Sequence, residues 1–294
     1  MQTAEILSQV RRIEIITGRL VAETFAGEYQ SVFKGHGMEF AEVREYTPGD
    51  DVRSIDWNVT ARLGRPFIKR YVEERELTLL IACDISGSQR FGTRGRFKSE
   101  VAAELSALFA FAALKNSDKA GLLLFSDRSE RYIPPKKGKT HALRIIRDLL
   151  AHKPQSSGTD LGRCLDTVNR VLKRRAIVVL ISDFLCDKYD QALKLAAKKH
   201  DLIPVMLYDK AETSLPSLPV LLQTADPETG RLAALDLSSS AVTGELARAH
   251  AKCDAHAEKL FSLLGLDYIK IGTHESASDK VVEFFRKRER KLHS

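Results

Sequence analysis

The chain has 294 residues, 44% of them hydrophobic and 29% charged, which is enough apolar material for one large α/β domain and a smaller appendage. The formal charge of +7 comes from 46 Lys and Arg against 39 Asp and Glu. Its basic runs, Lys136-Lys137 with Lys139 and Arg286-Lys287-Arg288 with Arg290-Lys291, read as solvated helix ends and loops, so nucleic acid is not expected as a partner.

The longest apolar runs, such as Ala176 to Ile181, fall far short of the about 20 residues that a bilayer demands, and no membrane segment is expected. The amino terminus shows no basic region followed by an apolar core, so no secretory signal is expected. Cys83, Cys164, Cys186 and Cys253 are scattered without paired spacing, which argues against a zinc knuckle or a disulfide framework. A cytoplasmic location is the simplest expectation.

In chain order, residues 4–24 place Val10, Ile13, Ile16, Leu20 and Val21 at helical spacing, which predicts an amphipathic helix. Residues 31–75 carry glycines at 35, 37, 49 and 64, dense mixed charge and short apolar strands around Pro66 to Val72. Residues 1–76 are therefore expected to form a charge-rich module that packs directly on a main domain of residues 77–294. From Leu77 the rhythm is strand, helix, strand. Leu77–Cys83 is a continuous apolar run of the kind buried on both faces. Phe97–Lys115 reads as a helix with a buried stripe through Val101, Leu105, Leu108 and Ala112. Strands at 120–125, 130–133, 176–182 and 202–208 alternate with helices at 141–150, 160–172 and 189–199. The pattern predicts a doubly wound α/β fold, a mostly parallel sheet with helices on both faces. In the tail, Pro227-Glu-Thr-Gly230 reads as a turn between short edge strands, followed by a helix over 246–264, a strand over 268–271 and a basic helix over 281–290.

The chemistry concentrates where the first buried strand ends, at Asp84-Ile-Ser86-Gly-Ser88. Residues two apart in extended chain point the same way, so one carboxylate and two hydroxyls converge above the sheet edge, where open α/β sheets bind ligands. The strand over 176–182 ends at Asp183, and the loop before the helix over 160–172 offers Thr159 after the permissive Gly158. Hard oxygen donors on three strand or loop ends suit Mg²⁺ or Mn²⁺. An ion held largely by neutral hydroxyls stays electrophilic and open to an incoming acidic side chain. An Asp-x-Ser-x-Ser string alone arises by chance in about one chain of this length in twenty. Strand-end turns would account for Asp84, Ser86, Ser88 and Asp183 one at a time, and a helix N-cap for Thr159 and Asp160. Metal binding explains their joint placement.

At these residues the chain resembles the von Willebrand factor A family. Its metal-ion-dependent adhesion site has an Asp-x-Ser-x-Ser first loop, a Thr in a second and an Asp in a third. Asp84, Ser86, Ser88, Thr159 and Asp183 match each part. A longer likeness lies upstream. Gly37-Met-Glu-Phe-Ala-Glu-Val-Arg-Glu-Tyr46, Pro48-Gly-Asp-Asp-Val-Arg-Ser-Ile-Asp-Trp57, Ala61-Arg62 and Lys69-Arg-Tyr-Val-Glu-Glu-Arg-Glu76 resemble the signature of the bacterial family called domain of unknown function 58. That resemblance implies a protein-interaction module rather than an enzyme, working with a MoxR-type AAA+ ATPase or its client.

The signature segment alternates carboxylates and arginines: Glu39, Glu42, Arg44, Glu45, Asp50, Asp51, Arg53, Asp56 and Arg62. A structural ion-pair lattice is the simpler reading, with a partner surface as the alternative. Trp57, the only tryptophan, reads as a packing anchor. Rival functions are a metal-dependent hydrolase or phosphatase, or nucleic-acid binding. Ser86 and Ser88 lack the Gly-x-Ser-x-Gly elbow of serine hydrolases, Ser86 stands where an aspartyl phosphotransferase needs an acid, and no Walker A string occurs. The eight histidines lack ligand spacing and are expected at surfaces or on helices.

Overall fold

A computed structural model describes residues 3–21, 29, 32–33, 37–74, 76–93, 96–215 and 218–293. The apolar runs form β3 (Thr78–Asp84), β4 (Lys119–Phe125), β5 (Ser129–Lys136), β6 (Ile177–Ser182), β7 (Asp201–Tyr208) and β10 (Ile269–Gly272). They make one six-stranded sheet in the order β10-β7-β6-β3-β4-β5, parallel except for the edge strand β5. Every residue of β6 is buried, because helices cover both faces of the sheet and no residue of the strand can face water. On one face Leu80, Ala82, Val178, Leu180 and Met206 pack with Leu165, Val168, Leu193 and Phe261. Each of these side chains larger than Ala82 contributes roughly 1.5–3 kcal/mol on burial.

The sheet is accompanied, among the described residues, by helices that include α1 (Thr3–Leu20), α3 (Lys98–Lys115), α4 (Lys139–Ala151), α5 (Leu161–Val171), α6 (Asp190–Lys199), α7 (Lys210–Thr213), α8 (Ser240–Leu263) and α9 (Ala277–His293). The stripe expected on α3 is in fact most of its surface. Ala102, Ala103, Phe109, Ala110, Phe111 and Ala113 are buried with Val101, Leu105 and Leu108, since the helix contacts β3 and β4 as well as α1, α4 and α9. Among the histidines, His200 departs from the expectation. It follows α6 and is buried, and burial together with the charges of Lys199 and Arg175 lowers its pKa to about 4.

The turn at Pro227–Gly230 does join two short strands, β8 (Leu221–Ala225) and β9 (Leu232–Asp236). They pair only with each other and are not an edge of the main sheet. Their leucines lie outside the core, with Leu221 and Leu232 each 71% exposed.

The chain divides into two compact units, residues 33–77 and the remainder, and α1 belongs to the larger one. The reason is its packing on α3 and α4, with Val10 and Thr17 buried and Glu14 paired to Lys139 at 2.8 Å. In the smaller unit β1 (Gly37–Glu45) runs antiparallel to β2 (Phe67–Glu74). Between them stands a short helix, α2 (Trp57–Leu63), which sequence periodicity did not reveal. Its ends are well marked. Asp56 accepts N–H bonds from Asn58 and Val59, and Gly64 closes the helix in the left-handed conformation at φ 69°.

Within that unit Arg44 and Asp50 meet at 2.6 Å, while Lys69–Asp56 and Arg65–Glu45 are looser at 3.4 and 3.6 Å. The Glu39 side chain lies outside those described. Trp57 is 70% exposed, which corrects its reading as a packing anchor. The first turn of a seven-residue helix presents it outward, while the Asp56 cap, not the indole, fixes the helix start.

Candidate functional site

In a doubly wound sheet the crevice beyond the strands' carboxyl ends opens where the strand order reverses. Here that point lies between β3 and β6, whose facing ends carry Asp84 and Ser182–Asp183. Asp84 is 1% exposed. Its Oδ1 accepts the Ser86 N–H at 2.9 Å and its Oδ2 accepts the Ser182 hydroxyl at 2.6 Å, which locks the carboxylate across the two strands. Burial, and then the charge of Asp183, push its pKa up to about 7 against the lowering effect of those bonds.

The chain leaves β3 through a 3-10 turn, Gly87–Arg90, which stacks the hydroxyls of Ser86 and Ser88 with oxygens 3.1 Å apart. Cis ligands of an octahedral Mg²⁺, at 2.0–2.1 Å from the metal, are separated by about 2.9 Å. The pair is thus spaced as adjacent donors to such an ion. Gly87 donates its N–H to the Ser157 carbonyl at 2.8 Å, tying this turn to the loop that carries Thr159.

That loop is organised by Glu130, on β5, which sequence reading did not single out. Its carboxylate accepts the Ser126 hydroxyl at 2.8 Å, the Gln155 N–H at 3.0 Å and the Ser156 N–H at 3.2 Å, and lies 3.1 Å from His152 Nε2. Burial alone would raise its pKa, but these donors together lower it. Asp160 caps α5 through the Arg163 N–H, as an ordinary N-cap would. Thr159 is not that cap. Its hydroxyl points instead to Glu228 Oε1, at 2.6 Å.

Asp183 ends the third element. The following Phe184 sits at φ 56°, a conformation costing on the order of 1 kcal/mol and held by edge contacts to Phe261 and Tyr189 at 5.2 and 5.9 Å. The chain therefore turns sharply after the carboxylate. Asp183 Oδ2 takes a bond from Lys98 Nζ at 2.8 Å, while Oδ1 receives only a long N–H from Leu185 at 3.4 Å. Lys98 opens α3 and is fully buried, with a second bond to Glu212 at 2.6 Å. Burial would lower its pKa, yet the charges of Asp183 and Glu212 outweigh that and raise it. Nothing in the sequence marked Lys98, since one lysine ahead of an apolar helix looks like a solvated end.

The structure thus gathers Asp84, Ser86, Ser88, Thr159 and Asp183 around one end of the sheet, together with Glu228. The donor set is hard oxygen throughout, and among the described residues the buried cation bonded to it is Lys98, on Asp183. Among the described residues no group of three or more His, Cys, Asp or Glu is arranged to hold a metal. No described helix is long and apolar enough to cross a membrane.

Among solved structures, the chain is similar to a conserved hypothetical protein, BatB, from Bacteroides thetaiotaomicron. They share 16% identity at a TM-score of 0.47, over 73% of this chain and 99% of that one. It is also similar to proximal thread matrix protein 1 from the mussel byssus "with zinc occupied MIDAS motif", with 17% identity and a TM-score of 0.35 over 45% of this chain and 38% of that one. Among sequences, the uncharacterized protein Rv1480 of Mycobacterium tuberculosis is 27% identical over 290 residues, 97% of this chain and 90% of the relative. The uncharacterized protein YeaD of Bacillus subtilis is 27% identical over 122 residues, 41% of this chain and 28% of that protein. Residues 42–256 match the family described as "Protein of unknown function DUF58", and with that span covering most of its length the chain belongs to the DUF58 family.

Proposed function

We propose that this protein is a metal-dependent docking module, which holds Mg²⁺ or Mn²⁺ through Asp84, Ser86, Ser88, Thr159 and Asp183 and binds an acidic side chain of another protein. The observation that carries the reading is the convergence of two carboxylates and three hydroxyls at the switch point of the sheet. A bound ion would supply electrophilic attachment for a carboxylate. The chain's residues position it, with Asp84 fixed across β3 and β6 by Ser182, and Glu130 holding the Thr159 loop in place. Among the described residues neither the Ser86 nor the Ser88 hydroxyl bonds a histidine, and they pair with each other, which favours ligation over nucleophilic attack.

The partner proposed from the family resemblance is a MoxR-type AAA+ ATPase or a client it remodels. Exposed Arg90 and Lys153 flank the site and would steer an acidic surface towards it, an effect that fades with salt. Arg96 contributes less because Glu104 engages it at 2.5 Å, and Arg94 lies outside the described residues. Two measurements test the reading. Calorimetry should show Mn²⁺ binding by wild type that is lost in Asp84→Ala. Capture of the ATPase should fall with EDTA and in Asp183→Ala. Equal Mn²⁺ binding by wild type and Asp84→Ala sinks the metal assignment, and equal capture in all three arms places the partner on another face.

A further inference from the structure

Four of the five proposed metal donors are buried, which is unexpected for a site that meets a partner. Asp84 is 1%, Ser86 0%, Ser88 7% and Asp183 3% exposed. Part of the cover is the turn of the β8–β9 hairpin. Pro227 sets its carbonyl oxygen so close to Gly87 that a side-chain carbon there would stand 1.9 Å away, so only glycine lets the turn settle on the metal loop. The next residue, Glu228, reaches past it to the Thr159 hydroxyl at 2.6 Å. It is half-buried on a hairpin whose neighbouring residues Pro227 and Thr229 are exposed. Asp226 shapes the turn that presents it, accepting the Glu228 and Thr229 N–H groups at 2.9 and 2.8 Å.

We propose that the β8–β9 hairpin is a lid on the metal face, with Glu228 as an intramolecular acid that holds the place an incoming partner's carboxylate would take. The inference rests on the metal reading above. Glu228 reaches this acidic cluster with the Thr159 hydroxyl as its donor and Lys98 as the cation on Asp183, and a divalent ion would relieve the repulsion that remains among the carboxylates. The lid is also built to lift. β8 and β9 pair only with one another, and an isolated hairpin is marginally stable by itself. Its base is held by Leu218 N–H to the Leu237 carbonyl and Leu237 N–H to the Val220 carbonyl, both at 3.1 Å, with Leu237 buried. Leu221, Leu222 and Leu232 on its exposed surface give a docking protein apolar purchase on the element it must displace.

Mn²⁺ titrations followed by water-proton relaxation test this on the full chain, comparing wild type with Glu228→Gln, Asp226→Ala and Asp84→Ala. Glu228→Gln is expected to weaken Mn²⁺ binding about tenfold and to raise the relaxivity of the bound ion, because water replaces the acid. Asp226→Ala, which loosens the turn and leaves Glu228 in place, should move both readouts the same way by less. Circular dichroism checks that the variants fold. If wild type binds Mn²⁺ and Glu228→Gln matches it, the latch is overturned while the metal site stands. Weaker binding with unchanged relaxivity makes Glu228 a distant charge and overturns it as well, and an Asp226→Ala protein identical to wild type overturns the lid. Wild type binding no better than Asp84→Ala removes the metal site and this inference with it.

Discussion

In the larger unit the charged groups at the end of the sheet are sealed in and partnered across long stretches of chain, whereas the described ion pairs of residues 33–77 join groups no more than 20 residues apart, each with at least one exposed partner. Lys98 meets Asp183 across 85 residues of sequence and Ser182 meets Asp84 across 98. Arg44 meets Asp50 across six, and Asp56 caps the helix that begins next to it. The difference teaches where electrostatics can be structural. A buried charge without its partner keeps its full desolvation cost, while an exposed pair gains little because water serves both ions nearly as well.

Removing the most deeply buried cation gives the largest expected effect. Lys98→Met keeps most of the side-chain volume but leaves Asp183 and Glu212 facing each other without it. The expected cost is about 3–5 kcal/mol, seen as a fall in Tm on the order of 10 °C. A drop of only a degree or two would mean that the pair is solvated and that the contrast between the units is false.

Much of the larger unit is legible in the sequence, and the reason is periodicity. Leu77 to Cys83 and Ala176 to Ser182 read as fully buried strands because each run is apolar without alternation; the second is buried throughout and the first from Leu79 onward, with Leu77 and Thr78 half-buried. The residues at their ends, Asp84 and Asp183, follow from where the runs stop. Lys98 and Glu228 do not. Their roles come from contacts to residues 85 and 69 positions away, and no local pattern carries that distance. Helix α2 was missed for a different reason. Its seven residues include no buried one, so it has no apolar stripe to detect, and its only sequence marks are Asp56 before it and Gly64 after it.

Asp209 should show the next largest effect, and it sharpens the comparison through pH. Its carboxylate accepts the Thr93 N–H at 2.9 Å, the Thr93 hydroxyl at 2.6 Å, the Ala211 N–H at 2.8 Å and the Thr273 hydroxyl at 2.5 Å. Burial alone would raise its pKa, but these donors hold it down to about 2. A carboxylate depressed below its unfolded value stabilises the fold above roughly pH 4, and that contribution is lost as pH falls through about 2. Asp209→Ala is expected to cost about 2–3 kcal/mol at neutral pH. The gap in Tm between it and wild type should narrow as the pH falls below about 4 and close only below about 2. A gap independent of pH would assign the loss to packing and not to the charge.

The smallest effect is expected at Trp57, in the unit where surface placement rules. The indole is 70% exposed at the first position of α2, and the helix start is secured by Asp56, whose carboxylate takes the Asn58 N–H at 3.0 Å. Replacing an exposed side chain that supports neither cap nor core changes stability by no more than about 0.5 kcal/mol, so Trp57→Ala should unfold at nearly the wild-type temperature. As the only tryptophan, it also reports on itself. The folded protein should emit at the wavelength of a hydrated indole and be quenched freely by acrylamide, with little further red shift on unfolding. A blue-shifted, protected emission at concentrations where the protein is monomeric would show the indole covered, and would restore its reading as an anchor. The same protection appearing only on adding the ATPase would instead mark Trp57 as part of a docking surface.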